Sequence, residues 1–256
     1  MNVNGKLAPD LQRDVAATRA QVEAWAAGDY ARALARRDSL SASERDSVVR
    51  TLSRFTGLET SVIDPRTLTV DRMQLGNLLL RGERKFVGQY DSRLVGGLDT
   101  SGGPYDPTKD PSLLNLLDDV TVLRYLREEL GYRNDLRYQG PFGGGYPPAT
   151  TFRGDWMSVR WRRTAADSVP QQPLLDAMRM NPSLRVLVAC GIYDLVCDYF
   201  GNEWSASHLD GPLGRRVVAR SYPGGHAMYT DPRAHLELGR DVARFIRGAL
   251  ASSSSP

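Results

Sequence analysis

The stretch LRVLVAC at residues 184–190 decides the fold class. It is a continuous apolar run rich in β-branched residues, and Asn181-Pro182 just before it stops any helix arriving from upstream. A run of this kind reads as a strand buried on both faces of a parallel sheet. Outward from it, a short helix is predicted near 174–180 and another around 203–209. A second strand follows in VVARSY at 217–222, then an amphipathic helix with Asp231 as cap and Pro232 at its first position. Leu238, Val242, Phe245 and Ile246 share one face of that last helix. Helix and strand alternating with this period indicate βαβ units, so the fold class is α/β. Only two core strands are predicted, however, and a two-stranded parallel sheet leaves apolar edges open, so the pattern is that of a portion of a larger fold.

Upstream the pattern is helical. Leu11, Val15, Val22 and Trp25 recur at helical spacing, Gly28 is the expected stop, and Asp29 can cap a short helix through Tyr30, Ala33 and Leu34. Ser41 with Glu44 forms a capping box opening a helix whose stripe is Val48, Leu52 and Phe55, with Gly57 in the C-terminal cap position. Further helices are predicted over 73–80 and 120–130, the second closed by Gly131. The segments GGLDTSGGPYDPTKDP (96–111) and GPFGGGYPP (140–148) are too rich in Gly and Pro for regular structure, and 252–256 reads as a polar, disordered tail.

The composition excludes several function classes. The 256 residues carry 33 basic and 30 acidic side chains, a formal charge of +3. Only Lys6, Lys85 and Lys109 are lysines, so arginine supplies the remaining 30, interleaved with acids instead of massed on one face. That pattern argues against nucleic-acid binding. No run reaches the roughly 18 apolar residues of a membrane span, so no membrane partner is expected. Cys190 and Cys197 have no Cys or His neighbours at zinc-ligand spacing, so neither a disulfide framework nor a metal site is expected.

Two residues stand out as chemistry-bearing. Asp194 follows the first strand in GIYD, and His226 follows the second in PGGH. Ligands of open α/β sheets bind outside the carboxyl ends of the strands, which places both side chains in one crevice. A carboxylate there can fix the imidazole tautomer and stabilise the imidazolium, the acid-then-histidine half of a hydrolase triad. An Asp after a strand also serves as a cap, and a His beside two glycines also makes a turn hydrogen bond, so both readings stand at this point. The nucleophile motif G-x-S-x-G occurs nowhere in the sequence. Ser101 in DTSGG imitates it without a strand leading in, and Gly143, Gly144 and Gly145 imitate an oxyanion-hole loop but are flanked by prolines. Cys197, three residues past Asp194, is placed near the site but reads as a small packed thiol, and His208 and His235 as structural or solvent-facing.

The runs NPSLRVLVACGIYDLVCDYFGNEWSASHL (181–209) and YPGGHAMY (222–229) resemble the C-terminal end of the bacterial serine carboxypeptidase-like proteins, an α/β-hydrolase family. WAAGDYARAL, FTGLE, VGQYDSRLVG, YDPTKDPS and YLREELGY resemble that family's helical cap insertion. The resemblance implies a mainly helical cap over 1–168 and the C-terminal part of the α/β-hydrolase core over 169–256. It implies a serine-type carboxypeptidase acting on peptides through an acyl-enzyme, with Asp194 and His226 as triad acid and base and no metal or organic cofactor. The family's nucleophile precedes the cap, so this chain is expected to be either a truncated gene product or one half of a split enzyme whose serine sits on a separate N-terminal half, and alone it is expected to be inactive. Two departures stand inside the matched region: Cys197-Asp198 replaces the usual Thr-Pro, and Ala227 replaces a Met.

Two other functions compete. A non-catalytic binding module derived from that family would keep Asp194 and His226 as relics, and an intact hydrolase would need Ser101 or Cys197 as nucleophile. The open strand edge near Val186 and Val188 also predicts self-association.

Overall fold

Local sequence builds the N-terminal half of the structure, a computed structural model that describes residues 4–97, 109–113, 119–134, 172–209 and 211–253. Ser101, the glycines at 143–145 and residues 254–256 lie outside the described residues. Asp14 caps helix α1 (Val15–Trp25), its carboxylate accepting the Ala17 N–H at 2.9 Å. The expected stop at Gly28 does not occur, because the chain passes through a π-helical turn at Ala26–Tyr30 directly into α2 (Ala31–Ala35). The wider turn sets Trp25 over Tyr30, ring centroids 4.7 Å apart, and the Tyr30 hydroxyl donates to the Leu68 carbonyl at 2.6 Å. Those contacts outweigh a glycine's helix penalty of about 1 kcal/mol, and Asp29 therefore caps nothing.

Helix α3 (Ala42–Thr56) has the expected capping box, and Gly57 closes it in the left-handed region at φ 76. Its buried stripe is Val49, Leu52 and Phe55, with Val48 only half-buried. Val49, Leu52, Ile63, Leu68 and Leu79 form the main core, and Leu195 from the C-terminal third packs against it. Helix α4 (Arg72–Leu78) is capped by Asp71. It leads to a hairpin absent from the sequence reading: β1 (Lys85–Val87) pairs antiparallel with β2 (Val95–Gly97). Three-residue strands ending in Gly96-Gly97 carry too little periodicity to be distinguished from a loop. Helix α5 (Asp119–Arg124) continues through a π-helical turn at Tyr125–Glu129, and Gly131 follows in the left-handed region at φ 64.

The C-terminal third holds α6 (Gln172–Met180), β3 (Val186–Gly191), α7 (Tyr199–Ser207), α8 (Gly211–Gly214), β4 (Val217–Tyr222) and α9 (Pro232–Ser253). Strands β3 and β4 are parallel, in register from Val186 opposite Val217 to Gly191 opposite Tyr222. The described architecture is thus mixed α/β, mainly helical, with a two-stranded antiparallel and a two-stranded parallel sheet. Alternation along β4 turns Tyr222 toward α9, where its hydroxyl donates to Asp241 at 3.1 Å, and Ser221 toward α7, where it donates to Glu203 at 2.5 Å. Helix α9 runs through Ser253, two residues into the segment expected to be a tail.

Burial in the parallel sheet is uneven. Of β3 only Cys190 and Gly191 are buried, and of β4 only Tyr222, all at the carboxyl ends. The expected burial of β3 on both faces is therefore not met, since one helix on each side cannot cover it. On α9, Leu238 and Phe245 are half-buried, while Val242, Ile246 and Leu250 are exposed. Among the described residues β3 pairs with β4 alone, and no helix is long and apolar enough to cross a membrane. Open strand edges bearing half-buried valines template pairing with other chains. Light scattering on the isolated chain is expected to give a mass above the monomer that rises with concentration, and Val188→Lys should restore monomer. A wild-type chain monomeric at every concentration contradicts this.

Candidate functional site

The loops that follow β1, β3 and β4 meet at the carboxyl ends of the parallel strands. The first is held from beneath by Asp110, a fully buried carboxylate. Its Oδ2 accepts the Gln89 N–H at 2.9 Å, and its Oδ1 accepts the Ser112 N–H at 2.8 Å together with the Ser112 hydroxyl. The same hydroxyl oxygen accepts the Tyr90 N–H at 3.0 Å. So fixed, the loop presents carbonyls to both strand-end turns: Gln89 O accepts from Leu195 N at 3.0 Å, and Tyr90 O accepts from His226 N at 2.6 Å. In the other direction, Ser92 N donates to Tyr193 O at 2.8 Å.

The backbones run too close for side chains at the crossings. A Cβ on Gly225 would meet Asp91 Cβ at 2.6 Å and strike the Tyr90 carbonyl, and one on Gly191 would meet the Gly224 carbonyl at 2.5 Å. The glycines of PGGH and of the strand end are thus steric requirements of the site.

Arg93 closes the third side. Its guanidinium pairs with Asp91 at 2.7 Å and Asp231 at 3.0 Å, donates to the Pro223 carbonyl at 3.3 Å, and lies 4.7 Å from the centre of the Tyr193 ring. Hydrogen bonds to Asp91 hold the guanidinium pKa above its ordinary range, and the bond to Arg93 holds the Asp231 carboxyl below its own. Asp231 also caps α9, accepting the Arg233 and Ala234 N–H groups, so one carboxylate ties the helix start to the loop.

Within this frame Asp194 and His226, 32 positions apart, come together. Asp194 Oδ1 accepts the N–H groups of Val196 at 2.7 Å and Cys197 at 3.1 Å, and His226 Nδ1 donates to Oδ2 at 2.7 Å. The carboxylate side chain is 2% exposed and the imidazole 44%. With both oxygens engaged the carboxylate is locked in orientation, and with Nδ1 committed to it Nε2 is the nitrogen left to exchange protons. The Tyr90 ring stands edge-on to the imidazole, centroids 5.2 Å apart.

The other sequence candidates are dispersed. Asp198 caps α7 by accepting the Gly201 N–H at 2.8 Å, which turns its carboxylate to the helix end. His208 is exposed, stacked on Trp204 with centroids 3.9 Å apart, and His235 is exposed beside the Tyr229 carbonyl. Cys190 is buried, and desolvation pushes its thiol up to about 11. Cys197, expected to be a packed thiol, is exposed; burial of part of the group and the nearby Asp194 charge raise its pKa. Its sulfur also lies within 4.8 Å of ligand atoms of Asp194 and His226. Spacing arguments missed that cluster because His226 arrives from beyond the next strand. They also missed Asp110 and Arg93, whose only sequence signals are an Asx-turn pattern in DPS and an Asp-x-Arg turn in YDSR.

Asp231 stabilises the fold above the ordinary carboxylate range, and that contribution is lost as pH falls through its lowered pKa. In Arg93→Ala the largest cause of the lowering is removed while the Arg233 and Ala234 N–H bonds remain, so urea midpoints should fall at neutral pH and the acid limb of the stability profile should become shallower; a limb unchanged in shape counts against the Arg93–Asp231 coupling. Gly225→Ala should destabilise by about 1–3 kcal/mol as backbone separates from backbone, whereas Gly239→Ala, with open space at its Cβ, should not destabilise. Equal midpoints for the two variants contradict the steric reading.

No protein-family profile, curated protein or solved structure matches the chain.

Proposed function

We propose that this chain carries the acid–base portion of a serine carboxypeptidase-like α/β-hydrolase, whose nucleophilic serine is supplied by a segment N-terminal to these residues, either in the same polypeptide or on a separate half. The observation that carries the reading is the hydrogen bond from His226 Nδ1 to the buried Asp194 carboxylate at 2.7 Å, at the carboxyl ends of two parallel strands.

The chemistry follows from that pair. His226 Nε2 takes the proton of a serine hydroxyl as the oxygen attacks a peptide carbonyl, and the imidazolium formed is stabilised by Asp194. Nε2 then returns the proton to the departing amine, leaving an acyl-enzyme. Water attacks the acyl carbon with the same nitrogen as base, and the peptide leaves shortened at its C-terminus. The locked Asp194 keeps Nδ1–H pointed at Oδ2 throughout, so Nε2 alone faces the reacting atoms. The part-exposed β3 supports the reading from another side, since it pairs with β4 alone among the described residues and a segment that supplies the serine would also supply further sheet neighbours.

The test is to join or co-express the chain with G-x-S-x-G segments encoded upstream in the same frame or in neighbouring reading frames, and to assay release of the C-terminal residue from blocked dipeptides. Hydrolysis is expected from the pair and from neither part alone. His226→Ala should reduce it by about a millionfold and Asp194→Asn by about ten-thousandfold. Hydrolysis indifferent to His226→Ala, or absent with every such partner, overturns the proposal and leaves a binding protein. Labelling of Cys197 or Ser101 in the chain alone by a mechanism-based inhibitor would instead identify a self-sufficient hydrolase.

A further inference from the structure

The thiol beside the acid–base pair has no part in that chemistry. Asp194, Cys197 and His226 each offer a ligand atom, and these atoms lie within 4.8 Å of one another. We propose that the three form a binding site for a borderline-soft divalent cation, zinc foremost, with a fourth position open to water. This inference stands on geometry alone and does not depend on the hydrolase reading.

The donor set fits zinc. Thiolate, imidazole and carboxylate are its three usual protein ligand types, and four-coordinate sites with three protein ligands keep one position for water. Bond lengths of about 2.0–2.3 Å place ligand atoms about 3.3–3.6 Å apart in a tetrahedron. Separations of up to 4.8 Å must therefore close by at most about 1.5 Å, and His226 Nδ1 must draw back from Asp194 Oδ2 beyond its 2.7 Å hydrogen bond; both movements are within reach of side-chain rotation for Cys197 and His226, both exposed. Asp194 need not move.

Two of the ligands are already tied to each other. Asp194 Oδ1 accepts the Cys197 N–H at 3.1 Å, which closes a turn carrying both donors. His226 is held through its backbone by Tyr90 O. Positioning of this kind lowers the ordering cost of binding. The local charge is suitable as well: Asp194 and Asp198 outnumber the nearby Arg72 guanidinium, and the thiolate that forms on binding adds to a balance that a divalent cation neutralises.

Binding is a proton exchange. The Cys197 S–H bond breaks and its proton leaves to solvent as the sulfur–metal bond forms, while one nitrogen of neutral His226 and one oxygen of Asp194 donate lone pairs. If Nδ1 is the ligating nitrogen, its proton shifts to Nε2. No oxidant or reductant is involved. The cation occupies the same Asp194 and His226 that would serve a serine, so in an assembled hydrolase it would act as an inhibitor.

Cobalt(II) titration of the full chain, kept reduced with a phosphine, tests the proposal through the near-ultraviolet charge transfer from thiolate to metal. The band is expected to saturate at one cobalt per chain and to disappear when zinc is added. Cys197→Ser should abolish it, Cys197→Asp should restore zinc binding without the band, and His226→Ala should weaken zinc at least about tenfold. Cys190→Ser, His208→Ala and His235→Ala should leave binding unchanged. Circular dichroism melts of the variants separate lost ligands from lost fold, and Cys197→Asp provides a second folded probe. Absence of the band, its survival in Cys197→Ser, or its loss in Cys190→Ser overturns the site. The hydrolase reading fails separately, because Cys197→Ser leaves its acid–base pair in place.

Discussion

The buried Asp110 carboxylate is the interaction on which the site depends. It organises nothing catalytic itself, yet without it the Gln89 and Ser112 N–H groups would lie buried and unpaired, at about 1–3 kcal/mol each. By fixing Gln89 and Tyr90 it places two carbonyls where Leu195 and His226 need acceptors. The turn carrying Asp194 and the turn carrying His226 are thereby referred to one rigid loop. The two turns are also bonded directly, Tyr193 N–H donating to the Gly224 carbonyl at 3.0 Å, so the loop adds a second, shared support to the 2.7 Å side-chain contact.

That loop belongs to the N-terminal part of the chain, while both chemical groups belong to the C-terminal part. Leu195, next to Asp194, packs into the core built by α3, α4 and β1, and Arg93 reaches from the loop to Asp231 at the start of α9. The N-terminal helical region is thus a structural member of the site. Tyr90 shows this most directly, since its carbonyl holds the His226 backbone and its ring borders the imidazole.

The residues of the candidate pair were legible in the sequence, and so was the sheet beneath them, because both depend on local signals. An apolar β-branched run marks β3, an Asp and a His follow two strands at similar distances, and Ser41, Glu44 and Gly57 bound α3 by capping chemistry alone. What escaped was set by tertiary contact. Gly28 passes through the helix because Trp25 and Tyr30 stack across the π-helical turn, and the β1–β2 hairpin is too short to show periodicity. Asp110 and Arg93 act on residues far from them in sequence, so neither spacing nor propensity could assign them. Cys197 illustrates the same limit: its relation to Asp194 is local and visible, whereas its relation to His226 exists only once β3 and β4 are paired.

The distribution of burial carries a last consequence. The parallel sheet is sealed at its carboxyl ends, where loops cross at van der Waals distance, and left half-covered along the rest of β3 and on the outer face of α9. Apolar surface costs about 25 cal/mol per Å² to leave in water, so exposed Val242, Ile246 and Leu250 on the same module as a half-covered strand favour association. The closely packed ends hold the chemical groups in place without help, while the open body of the sheet is where additional strands could be accommodated. Order at the site and partial cover of the sheet are therefore compatible: loops clasped by Asp110 and Arg93 can hold the Asp194–His226 pair in place while, among the described residues, β3 pairs with β4 alone and stays half-covered along most of its length.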